Sequence, residues 1–302
     1  MSVWVVINNY NYGRFLADAL QSVLAQTRFP DRICVVDDGS TDDSRQLLRK
    51  EFKDRVEVVE KPNGGQLSCF NEIAGRVGEN DVIFFLDADD RFRPGHLEKC
   101  LAVYEQHPQV DFVFTRHQRF GEESGPGVIL CDPLKGDLGF SVFSARNELV
   151  WRGGPTSTLS LRGRILRRFL PCPLENDWRV RADDVLVFGS SLAGARKYFL
   201  DQPTVDYRVH ASNHFHNRSS ALEDSFAYVL RRERLLAWLE THLGMPFRRE
   251  AILIAIEYKC LPGGKAAEFW RYLKMVAVCR SPLPEKGRAL LSLLKSLAAG
   301  GA

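Results

Sequence analysis

Residues 82–90 read VIFFLDADD, five apolar residues that run directly into three carboxylates, Asp87, Asp89 and Asp90, with one alanine among them. Five apolar residues bounded by a polar turn fit a strand buried on both faces of a parallel sheet. The aspartates then sit at or just past its carboxyl end, where open α/β sheets keep their ligand crevices. Carboxylates this close repel one another unless a cation or fixed donors offset the charge, and hard divalent ions such as Mg²⁺ or Mn²⁺ take oxygen ligands of this kind. The cluster points to a phosphorylated substrate carried with a metal. Turn formation explains one aspartate after a strand equally well, so the weight lies on the cluster.

On the amino-terminal side, strand and helix patterns alternate. Residues 3–8 and 33–37 are apolar, β-branched runs, and residues 15–24 between them show helical spacing, which makes a βαβ unit. A helix over 44–52, a strand over 56–60 and a helix over 67–77 continue the pattern up to the strand that ends in aspartates, as in a parallel nucleotide-binding sheet. Beyond it come a helix over 94–106 and a strand over 110–115. The Gly- and Pro-rich stretch 121–139 is expected as a loop or excursion. A strand near 157–161, a helix over 185–192 and extended segments near Tyr198 and Tyr207 complete a catalytic unit spanning 1–217. Residues 218–302 form a helical C-terminal region with amphipathic segments at 226–243, 251–258, 266–278 and 287–297.

The chain has 302 residues, 45% hydrophobic and 26% charged, enough to bury a substantial core. Its net charge of +3 is small and its lysines and arginines are dispersed, so no nucleic-acid partner is expected. Seven cysteines (Cys34, Cys69, Cys100, Cys131, Cys172, Cys260 and Cys279) show no CxxC spacing, which suits reduced thiols in a cytosol. The opening VWVVINN is too short for a signal peptide and lacks a basic start, and no stretch reaches about 18 apolar residues. A cytoplasmic protein is expected, with peripheral contact at the inner face of a membrane still open.

The first strand ends in Asn8, Asn9, Tyr10, Asn11, Tyr12 and Gly13, where a nucleobase could stack on an aromatic ring. The second ends in Asp37, Asp38, Gly39 and Ser40, where an aspartate can accept from a base or ribose. Each piece alone is also ordinary turn and N-cap chemistry. Three strand ends presenting polar groups along one edge are harder to explain that way.

The order NNYNYGRFL, VVDDGSTDDS, NGGQ and FLDADD resembles the family-2 glycosyltransferases, inverting enzymes of the GT-A, nucleotide-sugar-binding fold, densely over residues 3–94. The resemblance implies an α/β fold with a mostly parallel central sheet flanked by helices, here with a helical C-terminal appendage. It further implies that Asn8 and Tyr10 line the base site with Tyr10 stacking, that Asp38 contacts the base, that Asp87 faces the ribose or sugar, and that Asp89 holds Mn²⁺ or Mg²⁺ on the diphosphate. Asn63, Gly64, Gly65 and Gln66 would approach the donor through backbone groups, although a turn explains the glycines as well.

In the second half, Asp183 and Asp184 open an apolar helix whose dipole favours negative charge. The family's element reads Glu-Asp and carries the general base. Either neighbour is a candidate, with Asp184 favoured because Val187 and Phe188 then fall at the family's spacing. One base suffices to take the acceptor hydroxyl's proton in a single inverting displacement; the two-carboxylate arithmetic of glycoside hydrolases does not transfer. Tyr207, Arg208, Val209, His210 and Asn213 resemble the family's closing motif, in which Arg208 and His210 reach the diphosphate or its metal. His214 and His216 lie nearby, but their spacing from His210, with no Cys or Glu beside them, does not suit zinc. In the C-terminal region, Arg231, Arg232, Arg234, Arg248, Arg249 and Lys274 accompany Trp238, Phe269, Trp270 and Tyr272. Such helices either lie on an anionic membrane surface or pack their aromatics inward and leave a solvated charged face.

The expectation is thus a metal-assisted inverting transferase that moves a sugar from a UDP-, GDP- or dTDP-sugar donor to a hydroxyl acceptor, a glycan, glycolipid or small molecule, in cell-surface polysaccharide or glycolipid synthesis. A sugar nucleotidyltransferase lacks support because its Gly-rich, arginine-containing loop is replaced by residues 8–13. A dinucleotide oxidoreductase lacks its GxGxxG after the first strand. A catalytically silent nucleotide-sugar-binding module would carry the same binding residues.

Overall fold

The computed structural model describes residues 1–127, 135–211, 222–245, 249–263 and 265–299. Cys131, Asn213, His214, His216 and Arg248 lie outside the described residues. Chain order is β1 (Val3–Asn9), α1 (Gly13–Leu24), β2 (Arg32–Asp37), α2 (Ser44–Glu51), β3 (Glu57–Glu60), α3 (Gln66–Ala74), β4 (Val82–Asp87), β5 (Arg91–Phe92), α4 (His96–Gln106), β6 (Phe112–Gly121), β7 (Gly125–Pro126), β8 (Gly136–Gly139), α5 (Val142–Glu148), β9 (Leu159–Arg162), α6 (Gly163–Leu166), α7 (Asp183–Leu192), β10 (Lys197–Val209), α8 (Leu222–His242), α9 (Glu250–Lys259), α10 (Lys265–Val278) and α11 (Leu283–Ala299).

The strands form one mixed sheet in the order β3-β2-β1-β4-β9-β6-β10-β5, with β7 on β6 and β8 on β10. β1 pairs in parallel with both β2 and β4, so the sheet grows in opposite directions from β1 and a crevice opens past the strand ends there. β9 is antiparallel to both of its neighbours, β4 and β6, an inversion that a run of apolar residues does not announce. The two extended segments expected near Tyr198 and Tyr207 are one strand, β10, whose register against β6 shifts on either side of Pro203. A proline cannot donate to the ladder and is tolerated at such an irregularity. The short β5, β7 and β8 and the helix α5 have no counterpart in the sequence pattern.

Alternation along the strands divides the core. Val3, Val5 and Ile7 pack with Leu16, Leu20 and Val23 of α1 and Leu97 and Leu101 of α4. Trp4 and Val6 face the other way, onto Phe70 and Ile73 of α3 and Val185 and Leu186 of α7. Each fully buried side chain of this size contributes about 1.5–3 kcal/mol relative to exposure. Leu235, Leu236 and Leu239 of α8 belong to the same cluster as α3 and α7. Helices α9 to α11 build a separate core around Tyr258, Phe269 and Tyr272, joined to the rest through Phe143 of α5.

The aromatics of the C-terminal region divide accordingly. Phe269 and Tyr272 are buried and Trp238 stacks on His242, whereas Trp270 is 72% exposed. Arg231 and Arg234 are engaged by Asp177, so they do not belong to a free basic face. Among the described residues no helix is long and apolar enough to cross a membrane, and six cysteines are free thiols.

Candidate active site

Asn8 and Asp87 stand opposite one another at the ends of β1 and β4. Asn8 Nδ2 donates to Asp87 Oδ1 at 2.9 Å, and Gln66 Nε2 donates to the same oxygen at 2.9 Å. Burial and the neighbouring Asp89 push the Asp87 carboxyl up to about 7, against these hydrogen bonds. Asp90 is 1% exposed and belongs to the scaffold: its carboxylate accepts from Ser157 Oγ at 2.6 Å and from the backbone N–H of Arg208 at 2.8 Å. Asp89 meets His210, whose Nε2 lies 3.0 Å from Oδ2.

The closing motif therefore does reach the aspartate strand, but through particular atoms. His210 is buried between Asp89 and the rings of Tyr12 and Phe15, with centroid separations of 5.6 and 4.9 Å. Arg208 donates from Nε to the Asp89 carbonyl at 2.7 Å and from Nη2 to Asp18 at 2.9 Å, and its guanidinium lies over Phe15 and Phe120. Arg208 clasps the strand end from outside rather than lining the cavity.

Asp38, expected to touch a base, is 3% exposed and occupied by its own chain. Oδ1 accepts from Lys61 Nζ and the Gly64 N–H, both at 2.8 Å, and Oδ2 accepts from Asn63 Nδ2 at 3.0 Å and the Gly65 N–H at 2.7 Å. Four donors fill the four lone-pair directions of a carboxylate, so Asp38 organises the NGGQ turn. Gly65 there has φ of 90°, and a Cβ would come within 2.4 Å of Arg179 Cα. Only glycine lets this turn press against the segment leading into α7.

That contact brings Gln66 to the centre. Its Nε2 also lies 3.1 Å from Thr156 Oγ1, and its Oε1 accepts the Ala182 N–H at 2.8 Å, just before α7. One side chain thus spans the aspartate strand and the helix that carries the paired carboxylates. The NGGQ segment drew attention to the backbone of this turn, not to this side chain.

At the start of α7 the two aspartates separate. Asp183 lines the cavity, and burial, Asp184 and Asp87 push its carboxyl up to about 7 while Arg181 opposes them. Asp184, favoured by the family spacing, is fully buried and faces away: Oδ2 accepts from Tyr228 Oη at 2.9 Å and lies 3.4 Å from Arg181 Nη2. Successive helical residues point about 100° apart, so only one of the pair can face in, and here it is Asp183.

Asn8, Tyr10, Asp38, Asp87, Asp89 and Asp183 line a single cavity of about 880 Å³. Tyr10, 47% exposed, stands at its rim with a face available for stacking. Tyr207 of the closing motif lines the cavity as well, together with Phe114, Arg116, His117, Trp151 and Phe199, which no sequence motif marks. Burial and Arg119 lower His117 to about 4, so it is neutral at physiological pH. Among the described residues no three His, Cys, Asp or Glu side chains form a closed metal site. Mg²⁺ ordinarily binds through one or two carboxylates with the rest of its shell from water and substrate phosphate. Asp87 and Asp89, with the buried Asn8 Oδ1 beside them lacking a hydrogen-bond partner among the described residues, fit that pattern.

Residues 4–169 match the family model described as glycosyl transferase family 2. An uncharacterized glycosyltransferase of Nostoc sp., alr2836, is 32% identical over 238 residues, 75% of this chain and 70% of the relative. Chondroitin synthase of Escherichia coli is 30% identical over 123 residues, 40% of this chain but 18% of that protein. Among solved structures, S. aureus TarS 1-349 in complex with UDP-GlcNAc superposes with a TM-score of 0.56 at 17% identity, covering 99% of this chain and 92% of that one. The last likeness is one of fold.

Proposed function

The chain belongs to glycosyl transferase family 2, and on that premise we propose that it transfers a sugar from a nucleotide-diphosphate donor to a hydroxyl acceptor by a single inverting displacement. The observation that carries this is the convergence of Asp87, Asp89 and Asp183, from two distant parts of the chain, on one cavity. In this reading the base stacks on Tyr10, Asn8 and Asp87 face the nucleotide and sugar, and Asp183 is the general base. A carboxyl held near 7 is matched to removing a hydroxyl proton at neutral pH. Asp89, supported by His210, and Asp87 would hold Mn²⁺ or Mg²⁺. Such an ion neutralises charge on the departing diphosphate.

UDP-sugars are preferred as donors over GDP- or dTDP-sugars because TarS of the same fold was crystallised with UDP-GlcNAc. The chondroitin synthase match supports a polysaccharide or related glycolipid acceptor at the cell surface. Outward-facing Trp270, Leu291 and Leu294, with Lys274, Arg288 and Lys295 also exposed, support peripheral contact of a cytoplasmic enzyme with an anionic membrane. The deciding experiment is thermal stabilisation by UDP, GDP and dTDP with and without Mn²⁺, followed by release of the nucleoside diphosphate from the matching sugar nucleotides. Metal-dependent binding with turnover is expected; binding of a nucleotide without turnover of any sugar would leave a silent binding module instead.

A further inference from the structure

The turn before α7 is held from outside the region that the family model matches. Asp184 is buried, with Oδ1 lacking a partner among the described residues and Oδ2 taking the Tyr228 hydroxyl at 2.9 Å. Arg181 Nη2 lies 3.4 Å from both the Tyr228 hydroxyl and Asp184 Oδ2, and its guanidinium lies 4.6 Å from the centre of the Tyr228 ring. Arg181 also has φ of 62°, a left-handed conformation uncommon for a residue with a side chain. Such a conformation persists where surrounding contacts over-determine it. One and two turns further along α8, Arg231 donates to the Asp177 carbonyl at 2.9 Å with its guanidinium 4.2 Å from the Trp178 ring, and Arg234 pairs with Asp177 at 3.0 Å. One face of α8 thus grips the whole segment 177–184. The grip is passed to the cavity, because the Asp184 backbone N–H donates to Asp183 Oδ1 at 3.1 Å.

We propose that Tyr228 is a positioning residue for transfer: by anchoring Asp184 and Arg181, its hydroxyl keeps the carboxylate of Asp183 aimed into the cavity, so that α8 is part of the catalytic apparatus. The inference rests on the reading of Asp183 as the base. Tyr228→Phe removes the hydroxyl alone and leaves the ring under Arg181.

The test measures UDP release from UDP-glucose, UDP-galactose, UDP-GlcNAc and UDP-GalNAc by the full-length chain, Asp183→Asn and Tyr228→Phe, with UDP-induced thermal shifts reporting on folding. The expected result is a kcat for Tyr228→Phe about tenfold lower, the effect of losing one hydrogen bond to a charged group, with donor KM within about twofold. An unchanged kcat, or a loss confined to KM, overturns the proposal. Where none of the four sugars turns over, the infrared carboxyl signal lost in Asp183→Asn decides: Asp184, Arg181 and Asp87 face that group, and a signal and pH midpoint unaltered by Tyr228→Phe also overturn it. Full turnover by Asp183→Asn would instead remove the base assignment, a distinguishable failure.

Discussion

His210 Nε2 lies 3.0 Å from Asp89 Oδ2, a contact that joins positions 121 residues apart in the chain. The imidazole is wedged against Tyr12 and Phe15, so it presents a fixed nitrogen to the carboxylate. A group that orients a metal-binding carboxylate ordinarily contributes about 10–100-fold to metal affinity. His210→Ala should raise the Mn²⁺ concentration for half-maximal donor binding by that factor, read by titrating Mn²⁺ against UDP-induced thermal stabilisation. An unaltered Mn²⁺ requirement would mean that His210 only packs.

Asp183 should control both turnover and the pH response of stability. In the folded chain its carboxyl is raised to about 7, whereas an unfolded Asp ionises near 3.9. Between those values the folded state binds more protons, so this group makes stability fall as pH rises from about 4 to 7. Asp183→Asn should therefore melt higher than the parent at pH 8 and close to it at pH 4, while losing about 10²–10⁴-fold in kcat. Calorimetry at the two pH values and a turnover assay check both halves. In the parent, with Asp184, Arg181 and Asp87 around it, the acid limb of kcat/KM should fall near pH 7.

Replacing Asp38 tests loop organisation against base contact. Asp38→Ala would take the carboxylate from Lys61, which keeps only the Pro62 carbonyl and Ser68 Oγ, and from two backbone N–H groups, and breaking a buried, hydrogen-bonded pair typically costs about 3–5 kcal/mol. Chemical denaturation should show a loss of that order. Were Asp38 chiefly a base contact, stability would hardly change and UDP affinity alone would drop.

Gln66 links Asp87, Thr156 and the start of α7. Gln66→Glu keeps the size but puts a second carboxylate where the amide nitrogen donates to Asp87, and it should weaken kcat/KM more than Gln66→Ala does, with the latter near tenfold. Steady-state kinetics rank the two variants; the reverse order would argue against the bridging role.

Much of this architecture could be read in advance because the apolar runs that end in polar clusters are real strand ends: Asn8, Asp38 and Asp87 come to one edge as their positions required. The reversed β9 was not legible, since residues 159–162 suit a buried strand in either direction. Spacing along α7 favoured Asp184, but which of two neighbours faces inward depends on the helix's rotation, fixed here by Tyr228 and Gln66 from distant segments. The donors that Asp38 takes from residues 61–65 were not legible either, since an acidic turn reads the same whether its donors come from substrate or from the chain itself. Phe114, Trp151 and Phe199, which also line the cavity, belong to no motif.

The place of β10 in the sheet sets the smallest piece of this chain that can be expressed usefully. Cutting at residue 169, where the recognisable family stretch ends, would leave the flank of β6 bare where β10 pairs from Phe112 to Gly121. It would also discard the backbone N–H that caps Asp90. A long uncovered strand is a template for self-association, so such a fragment should precipitate, and shortened versions for crystallography or screening should keep the chain at least through α8.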